Sequence, residues 1–250
     1  MELNCEKFPN KHGILNFVEE LKHIFYPCLY GKNISVEHEC NKADYYYKKY
    51  ISNDEKDSKE FFSHVEELRN LFDKDVQAIF YGDPAADSLE EIVSTYPGFT
   101  AIFYHRIAHI LYKQKFPICA RIISEEAHFL TGIDIHPGAT IGEYFMIDHG
   151  TGIVIGETTI IGNHVRMYQG VTLGALSLSG GHALKNTRRH PTIGNNVTIY
   201  SGASILGSEA VIGDNVVVGS NVFLTYSIPA NTKVTIKKPD LVLIDKTKNS

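Results

Sequence analysis

The sequence contains few cysteines, and they are not arranged in pairs. The four are Cys5, Cys28, Cys40 and Cys119. None belongs to a CxxC motif, and none lies beyond residue 119. We therefore expect neither a disulfide framework nor a zinc site built on thiolates.

Long hydrophobic runs are absent as well. No apolar stretch reaches the roughly 20 residues that an α-helix needs to cross a bilayer. The first residues, MELNCEKFPNKHG, are acidic and polar where a secretory signal would have its apolar segment. These features predict a cytoplasmic protein with no membrane partner.

Positive charge is in deficit, since 24 Lys and Arg against 29 Asp and Glu give a formal net charge of −5 at pH 7. Nucleic-acid-binding domains usually carry a basic surplus, so no nucleic-acid partner is expected. The 250 residues, 43% of them hydrophobic, are enough for one or two globular domains.

The second half of the chain contains a six-residue repeat. This period fits neither an α-helix nor an alternating strand. It is typical of a parallel β-helix, whose short strands stack coil on coil, and the best known examples of that architecture are acyltransferases. We therefore predict a β-helix domain over residues 132–250. Its repeating apolar residues are Ile135, Ile141, Ile147, Ile155, Ile161, Met167, Leu173, Ile193, Ile199, Ile205, Ile212, Val218 and Leu224.

The first half, residues 1–131, is predicted to be an α-helical domain, so the fold class is α+β. Pro27 and Gly132 are expected to end helices, and 52–57 is expected to be a solvated connector. Ser88 begins a capping box with Glu91. Helices are expected over 14–25, 61–72, 88–96, 99–116 and 117–130.

Two large irregularities interrupt the repeat. The step from Ile147 to Ile155 is eight residues instead of six, so the extra residues should bulge outward at a corner. Between Leu173 and Ile193 lies a Gly- and Ser-rich stretch, 177–190, which we predict to be an extruded loop. Loops that interrupt a rigid repeat are often functional, although an inert insertion is the alternative.

His149 lies in the first irregular corner. A histidine in a turn is commonly a surface residue, but imidazole is also the usual general base. Asp134 lies fifteen residues upstream, close to one coil of three six-residue faces, so stacking should bring it near His149. A carboxylate there would orient the imidazole and stabilise the imidazolium.

Several segments together resemble the serine O-acetyltransferases, which are hexapeptide-repeat acyltransferases. They are 132–142, 147–158, 169–174 and 189–194, with further likeness at 96–99 and 105–109. The resemblance extends from about Asp83 to Phe223. It implies a left-handed β-helix and transfer of acetyl from acetyl-CoA to the hydroxyl of L-serine, the first step of cysteine biosynthesis.

The resemblance implies a role for each matching residue. His149 would be the general base and Asp134 its orienting carboxylate. Asp83 and Asp148 would hold the substrate ammonium group. These acids suit an amino acid, because serine carries one cationic and one anionic group.

Other matching residues would bind the serine carboxylate and the co-substrate acetyl-CoA. Arg189 and His190 would hold the serine carboxylate, since Arg presents a planar fork to such a group. A backbone N–H near Gly174 would stabilise the oxyanion. No metal is required. Small residues would line the groove for acetyl-CoA: Gly174, Ala175, Ser201, Gly219 and Ser220.

The resemblance also implies partners. It implies homotrimers with sites between neighbouring subunits, and hexamers that are dimers of trimers through the helical half. L-cysteine shares the charged groups of serine and is the expected feedback inhibitor. Many serine acetyltransferases insert a C-terminal isoleucine into the active site of O-acetylserine sulfhydrylase. Because this chain ends in Ser250, which would bury far less apolar area, no stable complex through the tail is expected.

Three other functions are alternatives to this one. A hexapeptide acetyltransferase for a sugar or amino sugar would not need the charged residues around His149. An inactive scaffold would not need them either. A metal-dependent carbonic anhydrase on the same fold would need three converging histidines. The spacing of the candidates does not suggest this: they are His136, His149, His164, His182 and His190.

Overall fold

A computed structural model describes residues 8–30, 35–177, 179–185 and 187–237. Helices precede a parallel β-helix along the chain, which confirms the predicted α+β class. The last α-helix of the described residues ends at Thr131, the first strand begins at Asp134, and a 3-10 helix at Gly181–Leu184 lies in the loop that interrupts the coils. Within the described ranges, no helix combines the length and apolar character needed to cross a membrane.

With one exception, the helix that follows His64, the α-helices of the described residues begin at side-chain caps or at prolines. Asn10, Ser35, Asp54 and Ser88 each accept a hydrogen bond from a backbone N–H of the first turn, which satisfies a donor that the helix leaves unpaired. The helices are α1 (Lys11–Phe25), α2 (Pro27–Tyr30), α3 (Val36–Tyr50), α4 (Glu55–Ser63), α5 (Val65–Gly82), α6 (Leu89–Thr95), α7 (Pro97–Lys113) and α8 (Pro117–Thr131).

Most helix predictions are confirmed, and Gly132 ends α8 in the left-handed conformation, with φ +69°. Three details were wrong. The helix expected over 99–116 is α7, which begins at Pro97 and ends at Lys113. The stripe 61–72 is divided at His64 between α4 and α5. The predicted connector 52–57 is helical from Glu55 onward, because Asp54 caps α4.

Helix α3 was not predicted, because its sequence is mostly polar. It buries only Glu39, Ala43 and Tyr47, which are spaced four residues apart and so form one narrow stripe. Tyr47 then packs edge-on against Phe17 of α1, with ring centroids 5.7 Å apart. Tertiary packing thus stabilises a helix that its own composition does not signal.

The β-helix consists of short strands that pair in parallel with the strands one coil away. The strands are β1 (Asp134–Ile135), β2 (Thr140–Ile141), β3 (Met146–Asp148), β4 (Val154–Ile155), β5 (Ile160–Ile161), β6 (Arg166–Tyr168), β7 (Thr172–Gly174), β8 (Thr192–Ile193), β9 (Thr198–Ile199), β10 (Ser204–Leu206), β11 (Val211–Ile212), β12 (Val217–Val218), β13 (Phe223–Leu224) and β14 (Lys233–Val234). Face 1 contains β1, β4, β7, β10 and β13; face 2 contains β2, β5, β8 and β11; face 3 contains β3, β6, β9, β12 and β14.

The six-residue repeat becomes an apolar ladder inside the coils. On face 1 the register aligns Ile135, Ile155 and Leu173, and then Ile205 and Leu224. All five are buried in one continuous core. The repeat is therefore the hydrophobic interior of about five stacked turns, as the sequence predicted.

A buried ion pair joins the helices to the first coil. Asp75 of α5 is fully buried and accepts hydrogen bonds from Nε and Nη2 of Arg106, at 2.5 and 2.8 Å, and from the Phe145 amide at 2.9 Å. Arg106 also donates to the Gly142 carbonyl, at 2.8 Å. The helical part is thus fixed to the corner between faces 2 and 3.

Candidate active site

The corner from face 3 to face 1 is enlarged after the first coil. Asp148 ends β3 and lies in register with Tyr168 of β6, while Gly152 stacks on Gly170 one coil later. The first corner therefore holds two more residues than the second. They push out His149, whose φ is +57° and whose side chain is 70% exposed. The predicted outward bulge is confirmed.

Two carboxylates lie at this corner. The Asp148 carboxylate is 3.8 Å from Nδ1 of His149. Asp83 follows the last turn of α5 and accepts hydrogen bonds from the Tyr96 hydroxyl and the Ala85 amide, both at 2.8 Å. The structure therefore brings together three predicted site residues, Asp83, Asp148 and His149, from distant parts of the sequence.

The electrostatics of Tyr96 support this proximity. The pKa of Tyr96 is raised to about 12. Burial is the largest cause, the hydrogen bond to Asp83 is the next, and the negative charges of Glu91 and Asp148 contribute further. The pKa of Tyr168 is also raised, first by burial and then by Asp148. The negative charge of the same corner thus contributes to the raised pKa of both tyrosine hydroxyls.

Gly98 explains why α7 can approach this corner. A Cβ atom at residue 98 would lie 2.2 Å from the carbonyl oxygen of Ile147, so only glycine fits there. Pro97 begins the helix, and Tyr96 immediately precedes it. The segment 96–99 is therefore a docking element that places a tyrosine beside Asp83.

Asp134 begins β1 at the same edge of face 1. The corner packs next to it, because a Cβ at residue 150 would lie 2.4 Å from Cδ1 of Ile133. Among the described residues, however, the Asp134 carboxylate forms no hydrogen bond or ion pair with His149. The catalytic pairing of Asp134 with His149 stays a prediction.

The corner from face 1 to face 2 carries the other charged residues. Arg189 forms an ion pair with Glu157, and Glu157 also accepts a 2.8 Å hydrogen bond from the Tyr112 hydroxyl. The Arg189 amide donates to Oγ1 of Thr158, at 3.0 Å. The end of the extruded loop is thus anchored to the preceding coil.

His190 is buried against this coil. Its Nδ1 accepts from the Thr158 amide at 3.1 Å, so the proton of the neutral ring lies on Nε2. A Cβ at residue 156 would lie 2.1 Å from the His190 ring, which requires Gly156. Burial, and then the Arg189 charge, lower the pKa of His190 to about 4.

A single chain does not bring the acidic residues and the basic residues of the predicted site together. Asp83, Asp148 and His149 lie at the corner between faces 3 and 1. Arg189 and His190 immediately precede β8 at the corner between faces 1 and 2. The whole width of face 1 separates them. The sequence grouped them as one site, whereas a single chain holds them at two edges of one face.

The residues predicted to line the acetyl-CoA groove are divided in the same way. Gly174 ends β7, and its carbonyl accepts from the Gly207 amide at 3.0 Å; Ala175 follows at the base of the loop. Ser201 and Ser220 lie one coil apart at the opposite edge, with their hydroxyls 3.4 Å apart, and Gly219 directly precedes Ser220. Small residues thus line both edges of face 1.

Sequence reasoning missed several polar residues at these corners. They include Glu157 and Tyr112, whose partners lie far away in sequence. It also missed the stack of Tyr168 on Tyr200, with centroids 5.2 Å apart and planes at 20°. Both tyrosines directly precede an x-Gly pair at the same position of successive coils. That periodicity was the signal that would have revealed them.

No protein-family model matches the chain. Over 147 residues, 58% of this chain, it is 54% identical to the plasmid serine acetyltransferase of Synechococcus elongatus, of which the match covers 46%. Over 133 residues, 53% of the chain, it is 52% identical to the serine acetyltransferase of Bacillus subtilis, of which the match covers 58%. The chain thus spans about half the length of the curated relatives it matches.

The structural comparison covers more of the chain. The crystal structure of serine acetyltransferase isoform 3 from Entamoeba histolytica, in complex with cysteine, superposes with a TM-score of 0.83 at 36% identity. The superposition covers 93% of this chain and 85% of that one. The chain belongs to the serine acetyltransferase family. Its likeness to that serine acetyltransferase includes the helical part as well as the coils.

Proposed function

We propose that this protein is a serine O-acetyltransferase that transfers the acetyl group of acetyl-CoA to the hydroxyl of L-serine. The observation that carries the proposal is the pair of charged corners on either side of face 1. One corner is acidic and surrounds His149; the other presents Arg189 and His190. An amino acid needs one group of each sign, whereas a neutral sugar needs neither.

The acidic corner is the proposed ammonium site. Asp83 and Asp148 both lie near the Tyr96 hydroxyl. Their carboxylates would accept charge-assisted hydrogen bonds from the substrate ammonium group. Tyr96 and the Ala85 amide hold Asp83 in place by donating to its two oxygens.

The corner with Arg189 and His190 is the proposed carboxylate site. Because Nδ1 of His190 accepts from the Thr158 amide, Nε2 carries the hydrogen that would be donated to a carboxylate oxygen. Arg189 offers further N–H groups beside it, while its ion pair with Glu157 fixes the guanidinium. These two residues would bind the anionic end of serine.

We infer that each active site is formed between two copies of the chain. A serine molecule is much smaller than face 1, which lies between the two corners. The acidic corner of one copy would therefore face the Arg189 corner of its neighbour, which a cyclic homotrimer provides three times. Two such trimers joined through their helical parts would make a hexamer. Light scattering coupled to size exclusion distinguishes the two.

Mixing inactive variants tests the shared site. We expect His149→Ala and Arg189→Ala proteins to be nearly inactive alone at low serine concentration. Unfolded together and refolded, they should regain about one quarter of wild-type activity, because random assembly restores both halves at one interface in four. No recovery despite mixed trimers would show that one chain supplies the whole site.

The proposed chemistry is general base catalysis. His149 accepts the proton of the serine hydroxyl as its oxygen attacks the thioester carbonyl, and Asp134 orients the imidazole. The new C–O bond gives a tetrahedral oxyanion; when this oxyanion collapses, the C–S bond breaks and the proton held by His149 passes to the departing thiolate. Backbone N–H groups near Gly174 and Ala175 would stabilise the oxyanion. Acetyl-CoA supplies the acetyl group, and no step requires a metal.

We also propose that L-cysteine inhibits the enzyme. The related Entamoeba histolytica structure is a complex with cysteine. Cysteine carries the same ammonium and carboxylate groups as serine, so the same two corners would bind it. Inhibition should therefore be competitive with serine.

The decisive experiment is CoA release from acetyl-CoA, followed with a thiol reagent, with a panel of amino acids and sugars as acceptors. L-serine is expected to be the preferred acceptor, with O-acetylserine as the product by mass spectrometry. Acetylation of a sugar while serine is left untouched would overturn the proposal.

One expectation concerns residues that the structure does not describe. The lack of a stable complex with O-acetylserine sulfhydrylase was inferred from Ser250 and the lysines before it, and 238–250 lie outside the described residues. It stays a prediction. Co-purification that disappears when 246–250 are deleted would contradict it.

A further inference from the structure

Three side chains that can bind metals converge between α1 and α3, away from the coils. Glu20 and His23 are three residues apart on α1 and so share one face of that helix. Glu39 lies in the first turn of α3. Oε2 of Glu20 and Oε2 of Glu39 are each 3.4 Å from Nδ1 of His23. One ligand atom from each residue lies within 4.8 Å of the other two.

These carboxylates are removed from solvent. The Glu39 side chain is 7% exposed and that of Glu20 is 13% exposed. Oε2 of Glu20, the atom nearest His23, is buried without a hydrogen-bond partner. Two adjacent buried carboxylates are costly unless a cation balances them, and buried charges are typically paired or bound to metals. The Lys42 ammonium lies 3.8 Å from this oxygen and 3.1 Å from Oε2 of Glu39, so one lysine faces two carboxylates, and a second cation would complete the charge balance.

We propose that Glu20, His23 and Glu39 form a Zn²⁺ site that joins α1 to α3. Tetrahedral zinc has bonds of about 2.0–2.2 Å to nitrogen and oxygen, which places neighbouring ligand atoms roughly 3.3–3.6 Å apart. The two 3.4 Å distances from His23 match this spacing. Water completes the tetrahedron. The imidazole favours zinc over magnesium or calcium, which prefer ligands made of oxygen alone.

Lys42 supports the site from outside. Its ammonium group donates to Oε1 of Glu39 at 3.2 Å and to Oε2 at 3.1 Å. When Oε2 binds zinc, the contact with Oε1 keeps the carboxylate oriented, as outer hydrogen bonds commonly do at metal sites. The ion would cross-link α1 to α3. This site is separate from the residues proposed for acetyl transfer.

The test uses the full chain after removal of metals with a chelator. Isothermal titration with ZnCl₂ is expected to show one ion per chain, with binding weakened on the order of tenfold or more by Glu20→Gln and by Glu39→Gln. Zinc should raise the melting temperature of the wild type but not of these variants. The matched control is Glu19→Gln on the same helix, which alters only the exposed pair with Lys22.

Two further measurements assign the site. Cys40 follows Glu39 directly, and a thiolate is a strong zinc ligand, so Cys40→Ser must keep the binding. Co²⁺ in place of zinc should give the visible absorption bands of a tetrahedral ion. Absence of zinc binding in the wild type, or equal binding by the wild type and Glu20→Gln, overturns the proposal. If Glu39→Gln does not fold, Glu20→Gln decides alone.

Discussion

The Tyr96 hydroxyl donates a 2.8 Å hydrogen bond to Oδ2 of Asp83, although neither residue lies in the β-helix. The amide of Ala85 donates to the other carboxylate oxygen at 2.8 Å. Asp83 is thus held in a fixed orientation at the enlarged corner. Its position is decided by the docking of α7, which only Gly98 permits.

Removing the Tyr96 hydroxyl tests its positioning role. We expect Tyr96→Phe to raise KM for serine about two- to tenfold, the usual effect of losing one hydrogen bond, with little change in kcat. Tyr81→Phe is the control, because that side chain is 80% exposed. An effect on KM for acetyl-CoA alone would assign Tyr96 to the other substrate.

The general base is tested by His149→Ala. We expect a loss of about 10²–10⁴-fold in kcat, because proton transfer from the serine hydroxyl loses its acceptor. Asp134→Asn should lose less, since packing retains part of the imidazole orientation. His164→Ala is the control: its ring stacks on Tyr144 at the corner between faces 2 and 3, 4.4 Å away. A folded His149→Ala protein with wild-type turnover would refute this mechanism.

Arg189→Ala tests the carboxylate site. The serine carboxylate keeps its charge during acetyl transfer, so its binding stabilises ground and transition states alike. We expect KM for serine to rise about tenfold to a hundredfold, with kcat less affected. Arg188→Ala, at an exposed neighbouring position, should change KM much less. Unchanged saturation by serine with impaired saturation by acetyl-CoA would reassign Arg189 to the cofactor groove.

The buried pair of Asp75 and Arg106 should dominate the attachment of the helices to the coils. Arg106→Met removes the cation and leaves a carboxylate with 0% exposure. We expect a loss of about 3–5 kcal/mol in the free energy of unfolding, measured with urea by circular dichroism. Lys74→Gln breaks the more exposed pair with Glu143 and should cost about 1 kcal/mol or less. Equal effects would contradict the assignment.

Acid should destabilise the protein through buried histidines. Burial, and then the charge of His109, lower the pKa of His105 well below its usual value. The unfolded ring binds a proton below about pH 6.5 and the native ring does not, so stability falls as the pH decreases below 6.5. The loss is up to about 1.4 kcal/mol per pH unit for each such histidine. His190, with a pKa of about 4, acts in the same direction.

Urea unfolding at pH 5 and pH 7.5 measures this effect. We expect a smaller difference between the two values for His105→Gln than for the wild type. His12→Gln, at an exposed position, is the control and should leave the pH dependence unchanged. The same pH dependence in His105→Gln as in the wild type would show that other groups are responsible.

The local pattern of the sequence determined the architecture. Each six-residue step returns an aliphatic side chain to the interior, so the inward position of the repeating residues within each uninterrupted run follows from the period alone. The two extra residues after Asp148 had to leave the coil, because the interior has no room for them. Pro97, Pro117 and Gly132 set helix boundaries through their own backbone preferences.

Contacts between distant parts of the chain decided the rest. Helix α3 is stabilised by burying Tyr47, and the enclosed pair of Asp75 and Arg106 depends on how α5 and α7 meet the first coil. The meeting of Asp83 with Asp148, and the separation of both from Arg189, depend on which corner each residue occupies. No short-range periodicity encodes these placements, because they arise from packing across many tens of residues, and only the tertiary structure fixes them.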